Sequence, residues 1–354
     1  MITTADRPFP TYKRFLPGGT SSWGVMHVIN RTAGGLLLFG PPEKDHFRSL
    51  VFRAAAFCGL EVLTWTCLDN HFHILLTVPS ETEAERLRAA VSEEEILERM
   101  KKCYSTAYIE ETLQRLKKFR STPGQEPIAE DIIRRLRAQM FDISAYMHIV
   151  QRRFSAWFND RHERRGTLWQ GRFRSTLVEN RGEALLKTAA YIDLNAVRAK
   201  IVKDPKDYRW CGYAEALAGR QDALAGIAAV VRAACNSEDS ANAVQEDPMQ
   251  FYRDWLIELG APVVDEAGNV VRAGFEPEEA GGKLTQRSLL STRVRYFTAG
   301  LAIGSRAFCE ELFQRYRNEF GPNRQSGARP WRHGEWGELY SLRDLRKNVV
   351  GKGG

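Results

Sequence analysis

The stretch DNHFHILLTVP, residues 69–79, decides the fold predicted for this chain. Side chains alternate between the two faces of a β-strand, so His71 and His73 point to one face of a sheet. Phe72 and Ile74 begin an apolar set on the other face, which predicts packing against a hydrophobic core. Two imidazoles on the same side of one strand indicate a functional site on that side.

Around this strand the sequence predicts an alternation of strands and helices. WGVMHVINRT (23–32) and LEVLTWTCL (60–68) have the composition of strands. PEKDHFRSLVFRAAAFCG (42–59) has apolar residues at helical spacing, and the pattern stops at Gly59. The first part of the chain therefore predicts the order strand, helix, strand, strand.

The same alternation resumes after a helical interruption. Residues 80–140 are rich in Glu, Arg and Lys, with a capping-box pattern that starts at Ser92, and predict a solvated helical insertion. Residues 142–162 have the spacing of an amphipathic helix. A turn and a strand follow over 166–179, and a further helix begins at 181.

Composition and cysteine usage are those of an ordinary globular chain. Hydrophobic residues make up 43% and charged residues 27% of the 354 residues. No apolar run approaches the roughly 20 residues that span a bilayer, and the N-terminus lacks the features of a signal peptide. The 6 cysteines are scattered and form no CxxC motif. This spacing argues against a zinc ribbon and against a disulfide framework. We therefore expect a cytoplasmic protein without a membrane partner.

Charge is distributed unevenly along the chain. Lys and Arg number 51 against 44 Asp and Glu, for a formal net charge of +7. Residues 221–280 are net −9, whereas residues 141–220 and 281–354 are net +6 and +8. Basic segments with interleaved aromatic residues favour a phosphate-rich partner, although a solvated surface has the same composition.

One predicted helix carries a tyrosine and an asparagine that complement the two histidines. Tyr191 and Asn195 are four residues apart and so lie on one helix face. Alone, each residue is ordinary, because tyrosines pack in cores and asparagines cap helices. Together with two imidazoles, an amide oxygen suits a hard divalent ion, Mg²⁺ or Mn²⁺, and a tyrosine oxygen can attack phosphorus.

Three motifs carry a family resemblance: NHFHILL (70–76), GTLWQGRF (166–173) and YIDLNAVRA (191–199). In this order they resemble the REP-associated tyrosine transposases, which belong to the His-hydrophobic-His (HUH) class of single-strand DNA transposases. The resemblance covers about residues 20–218, interrupted by the insertion. It implies an α+β fold, with a ferredoxin-like antiparallel sheet flanked by helices, followed here by a mostly helical C-terminal extension.

The resemblance implies a role for each matched residue. His71 and His73 become metal ligands, Tyr191 becomes the nucleophile, and Asn195 becomes its polar partner and third ligand. The implied activity is cleavage and rejoining of single-stranded DNA through a 5′-phosphotyrosine, at hairpin-forming repeat elements.

Two departures from the family pattern, Ala196 for a proline and Met26 for an aromatic residue, remove neither a ligand nor the nucleophile. The implied partner is single-stranded or hairpin DNA. The implied protein is a monomer or a homodimer that associates with the nucleoid when it binds DNA.

Basic and aromatic residues near these motifs are candidate DNA contacts, because single-strand grooves combine stacking with cationic phosphate contacts. A tryptophan packed under a turn beside solvated arginines is the alternative. The candidates are Arg31, Arg152, Arg153, Arg165, Trp169, Gln170, Arg172 and Arg174. His27, on a neighbouring predicted strand, is interpreted as a core histidine.

The domain prediction has four parts: a split catalytic domain (1–79 and 141–220), the helical insertion (80–140), an acidic linker or helical segment (221–280) and a basic C-terminal domain (281–354). Within the last, residues 289–317 predict either a helix-turn-helix that contacts DNA or two packed helices without that role.

Two other functions are compatible with part of this pattern. A DNA-binding regulator could share the fold without the chemistry, although His71, His73 and Tyr191 are all intact. A zinc-dependent hydrolase could use the same histidine pair, but it needs a third His or Cys and an acidic base, and only Asp69 is close in sequence.

Overall fold

The structure, a computed structural model, describes residues 14–19, 21–235, 247–259, 263–264, 270–272, 297–298, 300–331 and 339–342. In chain order its strands are β1 (Trp23–Arg31), β2 (Val62–Cys67), β3 (His71–Pro79), β4 (Arg174–Val178), β5 (Val263–Val264), β6 (Val270–Arg272), β7 (Ala302–Gly304), β8 (Arg329–Pro330) and β9 (Tyr340–Leu342). The histidine strand, β3, lies inside a sheet of order β2-β3-β1-β4-β7-β9-β8, and β5 and β6 form a separate ladder.

The helices, again in chain order, are α1 (Pro41–Cys58), α2 (Glu81–Ala90), α3 (Glu93–Cys103), α4 (Thr106–Ser121), α5 (Glu126–Ala138), α6 (Ile143–Arg161), α7 (Gly182–Asp193), α8 (Asn195–Arg198), α9 (Gly212–Leu217), α10 (Gln221–Ala234), α11 (Pro248–Leu259) and α12 (Arg306–Arg315). Short 3₁₀ turns lie at Ala33–Gly35, Pro205–Asp207 and Arg317–Glu319. Among the described helices, none combines the length and the apolar composition needed to cross a membrane.

Four strands form the antiparallel part of the sheet. β3 pairs with β2 on one side and with β1 on the other, and β1 also pairs with β4. Because α1 connects β1 to β2 and α6 precedes β4, these elements have the βαββαβ order of a ferredoxin-like sheet. The predicted α+β class, with a sheet flanked by helices, is confirmed.

Helices cover both faces of this sheet. Phe72 and Ile74 of β3 lie in a buried cluster with residues of α1 and α6. Leu75, on the histidine face, lies in a second buried cluster with residues of α7 and α10. Any site formed by the two histidines is therefore enclosed between a strand and a helix.

The described part of the C-terminal extension is mostly helical, as predicted, and it also adds β7, β8 and β9 to the sheet. β7 pairs with β4 in parallel, and β9 pairs antiparallel with both β7 and β8. The whole sheet is thus mixed and not purely antiparallel. Strands of two or three residues are too short to show a period in the sequence. Their pairing also covers the edge that β4 would otherwise expose.

The segment 289–317, for which a helix-turn-helix or two packed helices were predicted, is described only in part. Residues 289–296 lie outside the described residues, and the second predicted helix is present as α12. However, the glycine-containing segment predicted as a turn contains β7, which hydrogen bonds to β4. The segment before α12 is therefore part of the sheet. The division of the chain into domains stays a prediction.

The predicted helical insertion contains α2 to α5. Three of its helices begin after a serine, Ser80, Ser92 or Ser105, whose hydroxyl accepts from the backbone N–H three residues later. These bonds satisfy backbone donors that have no partner within the helix. One half of the capping box predicted at Ser92 is confirmed, the bond from the Glu95 backbone N–H to the Ser92 hydroxyl.

Replacing Phe72 with alanine should lower the free energy of unfolding by about 3–5 kcal/mol. Phe72 is fully buried, and its ring centroid lies 4.7 Å from that of Phe47 and 5.4 Å from that of Trp169. Urea unfolding measures the change. Leu37→Ala, at a side chain that is 74% exposed, is the control and should stay within about 0.5 kcal/mol of wild type. Equal effects of both changes would contradict the described core.

Candidate histidine and tyrosine site

The register between β1 and β3 determines which side chains share the histidine face. Ile29 lies opposite His73, Arg31 opposite His71, and His27 opposite Leu75. Directly opposed residues of an antiparallel pair point to the same face. His27 and Arg31 of β1 therefore lie on the same face as the two histidines of β3.

Helix α7 brings Tyr191 to this face. The centroid of the Tyr191 ring lies 5.8 Å from that of His73 and 6.2 Å from that of His27. The His71 and His73 rings lie 5.2 Å apart. The structure thus brings together the two histidines and the tyrosine selected from the sequence. Their roles as ligands and nucleophile stay predictions.

Each strand histidine has its Nδ1 atom in a short hydrogen bond. The Nδ1 atom of His71 lies 2.7 Å from Oδ1 of Asn70, whose Nδ2 donates to the carbonyl of Gly35 at 2.9 Å. The Nδ1 atom of His73 lies 2.7 Å from Nε2 of His27. In metal sites, a hydrogen bond at one ring nitrogen orients an imidazole that binds the metal through its other nitrogen.

His27 is completely buried, as expected for a core histidine, but it is also part of the site. Its Nδ1 atom lies 2.9 Å from the carbonyl oxygen of Phe297, and its ring stacks on His73 with centroids 5.0 Å apart. Burial lowers the pKa of His27 to about 4; the bond to Phe297 opposes this shift, and the charge of Arg198 adds to it. His27 is therefore neutral near pH 7.

The donor set fits one divalent ion held by two imidazoles. With Nδ1 bonded in both rings, Nε2 is the nitrogen through which His71 and His73 would bind an ion. In the described part of the chain, no group of three or more His, Cys, Asp or Glu residues could hold a metal. Asn195, predicted as the third ligand, is a buried residue at the start of α8. Its ligand role and the choice of Mg²⁺ or Mn²⁺ stay predictions.

Arg198 places a positive charge on the tyrosine. Its guanidinium carbon lies 3.7 Å from the centroid of the Tyr191 ring, and its side chain hydrogen bonds to Tyr191. Burial lowers the pKa of Arg198, and the contacts with Tyr191 oppose this shift. The guanidinium group of Arg198 is buried, although the residue as a whole is partly exposed. A cation in this position stabilises negative charge on a phenolic or phosphate oxygen.

Phe297 covers the same tyrosine. The two rings stack with centroids 4.2 Å apart and planes 21° apart, and the edge of Trp331 packs on Phe297. Only 3% of Tyr191 is exposed. A DNA strand can therefore reach the tyrosine only after a covering side chain moves.

Asp193, two residues after Tyr191, anchors the end of α7. This fully buried carboxylate accepts from the Thr64 hydroxyl at 2.8 Å, the Tyr252 hydroxyl at 2.6 Å and the Tyr213 backbone N–H at 3.1 Å. Burial raises the pKa of Asp193 to about 6, while these hydrogen bonds oppose the shift. The network joins α7 to β2, α9 and α11 and so fixes the orientation of the tyrosine helix.

Removing one donor from this network should cost stability in a pH-dependent way. Tyr252→Phe should lower the free energy of unfolding by about 1.5–3 kcal/mol at pH 7, where Asp193 is mostly ionised. The Tyr252 bond stabilises the ionised form, so the loss should shrink below the Asp193 pKa, near pH 4.5. Urea unfolding at both pH values measures it. Tyr108→Phe, at an exposed tyrosine, is the control. A loss that does not depend on pH would contradict this role for Asp193.

Three of the predicted DNA contacts lie near the site. Arg31 is directly opposite His71, and its Nε donates to Oε1 of Gln170. The backbone N–H of Gln170 donates to the Arg31 carbonyl at 2.9 Å. The pairing of β4 with β1 puts Arg174 on the same face, where its Nη1 donates to the Thr298 carbonyl at 3.2 Å. These residues form a polar group beside the histidine pair.

Trp169 lies on the opposite side of the sheet. Its ring packs against Phe72 and Phe154, with centroids 5.4 and 5.6 Å away. Its Nε1 donates to the Gln151 carbonyl at 3.2 Å. Phe72 points away from the two histidines, so Trp169 does not line the candidate site. These contacts match the alternative of a tryptophan packed under a turn.

The remaining predicted contacts are not gathered at the site. Arg153 donates to the Cys103 carbonyl at 2.6 Å and lies 4.2 Å from the centroid of the Tyr104 ring, against the insertion. Arg152 belongs to α6, which packs on the face opposite the histidines. The exposed members of the set are Arg152, Arg165 and Arg172.

The sequence analysis missed three residues of the site. Asn70 directly precedes His71, so its position in the sequence could have identified it as a neighbour of the site. Arg198 follows Tyr191 by seven residues, but α7 ends at Asp193 and Arg198 belongs to α8, so helical spacing alone does not connect the two residues. Phe297 is 270 residues from His27 in the chain, and no local pattern connects them.

Comparisons with known proteins found similarity at the level of structure. No protein-family model matches the chain, and a search of curated proteins found no match. A solved structure described as a REP-associated tyrosine transposase bound to a REP hairpin is similar over 59% of this chain and 86% of that chain, with 13% identity and a TM-score of 0.37. The function proposed below rests on the side-chain contacts of the candidate site.

Proposed function

We propose that this chain is a metal-dependent tyrosine transposase that cleaves and rejoins single-stranded DNA through a 5′-phosphotyrosine. The observation that carries the proposal is the position of Tyr191, whose ring centroid lies 5.8 Å from that of His73. The pair of strand histidines with hydrogen-bonded Nδ1 atoms and the cation at Arg198 support the same chemistry.

Each residue has a defined part in the reaction. The hydroxyl oxygen of Tyr191 attacks phosphorus, so a phosphorus–oxygen bond to the tyrosine forms while the bond to the 3′ oxygen breaks, and the proton that the tyrosine loses is balanced by the proton that the 3′ oxygen gains as a free 3′-OH. Arg198 holds the tyrosine and stabilises negative charge on the reacting oxygens. The ring nitrogens of His71 and His73 would hold Mg²⁺ or Mn²⁺, and Asn195 would add an oxygen ligand. When bound, such an ion neutralises charge on the phosphate oxygens.

The reverse reaction gives strand rejoining without another energy source. A phosphotyrosine ester keeps the energy of the broken phosphodiester, so a 3′-OH can displace the tyrosine and restore a DNA strand. A tyrosine nucleophile therefore suits transfer between DNA ends better than simple hydrolysis does.

The proposed partner is single-stranded or hairpin DNA that approaches the sheet beside His71. Arg31, Gln170 and Arg174 supply donors for phosphate oxygens there. The approach requires Phe297 to leave the Tyr191 ring. Under the same proposal, the protein acts as a monomer or a homodimer in the cytoplasm and associates with the nucleoid when it binds DNA.

A DNA-binding regulator without cleavage activity is the second candidate. The observation that favours it is the burial of the tyrosine, since a nucleophile needs contact with its substrate. The two candidates differ in one measurable product, a covalent bond between protein and DNA.

Tyr191→Phe should abolish cleavage and the covalent adduct while DNA binding persists. The change removes one oxygen and keeps the ring, so the stacking with Phe297 remains. Incubation with labelled single-stranded hairpins and Mn²⁺, followed by denaturing gels and peptide mapping, measures the adduct. Tyr108→Phe should react as wild type does. An adduct on any other residue would show that Tyr191 is not the nucleophile, and no adduct with wild type would favour the regulator.

Metal removal and ligand loss should have the same effect on cleavage. EDTA, or His71→Ala, should lower the cleavage rate at least 100-fold, about 3 kcal/mol of transition-state stabilisation. Hairpin binding should persist, because other side chains contact the strand. His148→Ala, at an exposed histidine of α6, is the matched control and should cleave normally. Full activity in EDTA would exclude the metal role of the pair.

A further inference from the structure

The turn after β1 exposes two leucines beside the candidate site. Leu36 is 55% and Leu37 is 74% exposed, and Leu37 is the most exposed large hydrophobic side chain in the described residues. Leu38 and Phe39, which follow directly, pack on the core between the sheet and helices α1 and α6. The same turn therefore sends its last two apolar side chains into a core and leaves the two before them in solvent.

Hydrogen bonds fix the backbone that carries the two leucines. The N–H groups of Leu38 and Phe39 both donate to the carbonyl of Asp69, each at 2.8 Å. The Thr32 hydroxyl donates to the carbonyl of Leu36 at 2.7 Å. Because the backbone is already ordered, contact with a partner costs little conformational entropy.

Asn70 connects this turn to the histidine strand. Its Nδ2 donates to the carbonyl of Gly35, the residue before Leu36, at 2.9 Å. Its Oδ1 lies 2.7 Å from Nδ1 of His71. Arg31, the last residue of β1, leads into the turn and lies directly opposite His71. The two leucines are therefore held at the end of the sheet where His71 and a phosphate donor lie.

The charge around the turn favours a partner that carries phosphate. Residues 31–41 contain one cation, Arg31, and no acidic side chain. The segment 164–173, to which the turn hydrogen bonds, carries the exposed Arg165 and Arg172. An apolar surface bordered by cations is complementary to a nucleobase bordered by its phosphates.

The acidic residue at the base of the turn does not oppose such a partner. Asp69 has its carboxylate in an ion pair with the ammonium group of Lys44, at 2.5 Å. The Lys44 side chain is buried, so the pair is part of the scaffold that holds the turn. Its negative charge is therefore compensated within the protein.

A nucleic acid fits this small surface better than a protein or a membrane does. A specific protein interface buries about 800 Å² on each partner, more than two side chains supply. Attachment to a membrane surface uses an amphipathic helix, whereas these leucines follow a single 3₁₀ turn. By contrast, one or two apolar side chains are enough to separate neighbouring bases, and leucine is among those that do so in DNA-bending proteins.

We propose that Leu36 and Leu37 form a leucine wedge that inserts between two successive bases of the bound DNA strand. The inference rests on the proposed function for the strand, but it requires no cleavage. Insertion unstacks the two bases and bends the strand at that step. Because the wedge lies beside His71, the bend turns the adjacent phosphate toward the histidine face, where Arg31 contacts it.

The experiment measures base stacking with 2-aminopurine, a base whose fluorescence rises when it leaves a stack. It is placed at each position in turn in the single-stranded tail of a DNA hairpin, and wild-type protein is added in EDTA, so that the strand is bound and not cut. Fluorescence should rise at the step that receives the wedge. Leu36→Ala/Leu37→Ala should remove this rise and weaken binding about 10-fold, because the apolar contact is lost.

Control variants separate the wedge from general effects. Leu36→Met/Leu37→Met keeps apolar side chains of similar volume and should retain the fluorescence rise and the affinity. Leu113→Ala, at a leucine of α4 that is 43% exposed, is the matched control and should bind as wild type does. No charge is removed in the alanine double variant, so the salt dependence of its DNA binding should equal that of wild type.

The outcomes also separate the wedge from the proposed function. A covalent adduct without any fluorescence rise would leave the transposase in place and exclude the wedge. A rise that depends on the leucines, without an adduct, would support the wedge and favour the regulator. Equal binding and fluorescence in wild type and the alanine double variant would overturn the inference, as would wild type that binds no hairpin. An effect of the variant only on self-association, or only on binding to anionic phospholipid vesicles, would assign the leucines to another partner.

Discussion

The antiparallel register between β1 and β3 is the constraint on which the rest of the site depends. It puts His27, His71 and His73 on one face and the apolar side chains of β3 on the other. A shift of one residue would move the histidines into the core formed by α1 and α6. That shift would bury imidazoles without partners and move Phe72 out of its core to the face covered by α7 and α10, so core packing and site geometry enforce the same register.

Local pattern was enough to predict the elements that build the site, but not the contacts that close it. The alternation of β3 and the helical spacing before Tyr191 are visible in the sequence, and both elements are present in the structure. Phe297 and β7 come from a distant part of the chain and pair with residues that give no local signal. These contacts involve the edge strand β4 and the face of the Tyr191 ring. Both surfaces form only when the chain folds, so local sequence patterns do not predict what covers them.

The basic segment shows that amino-acid composition does not determine which side chains lie together on one surface. Arg31 and Arg174 lie on the histidine face, whereas Trp169, from the same basic segment, packs behind Phe72. A mixture of arginine and tryptophan is consistent with a nucleic-acid groove and also with an aromatic core edged by cations. Only the strand register distinguishes them, because it decides the face to which each side chain points.

Phe297 contacts both the tyrosine and one of the histidines of the candidate site. Its ring stacks on Tyr191, while its backbone carbonyl accepts from His27, which in turn contacts His73. Rotation of the side chain about χ1 would uncover the tyrosine and leave the carbonyl in place. A displacement of the backbone would uncover it too, but would also break the bond that holds His27. The edge of Trp331, which packs on the Phe297 ring, bounds the space for the side-chain rotation.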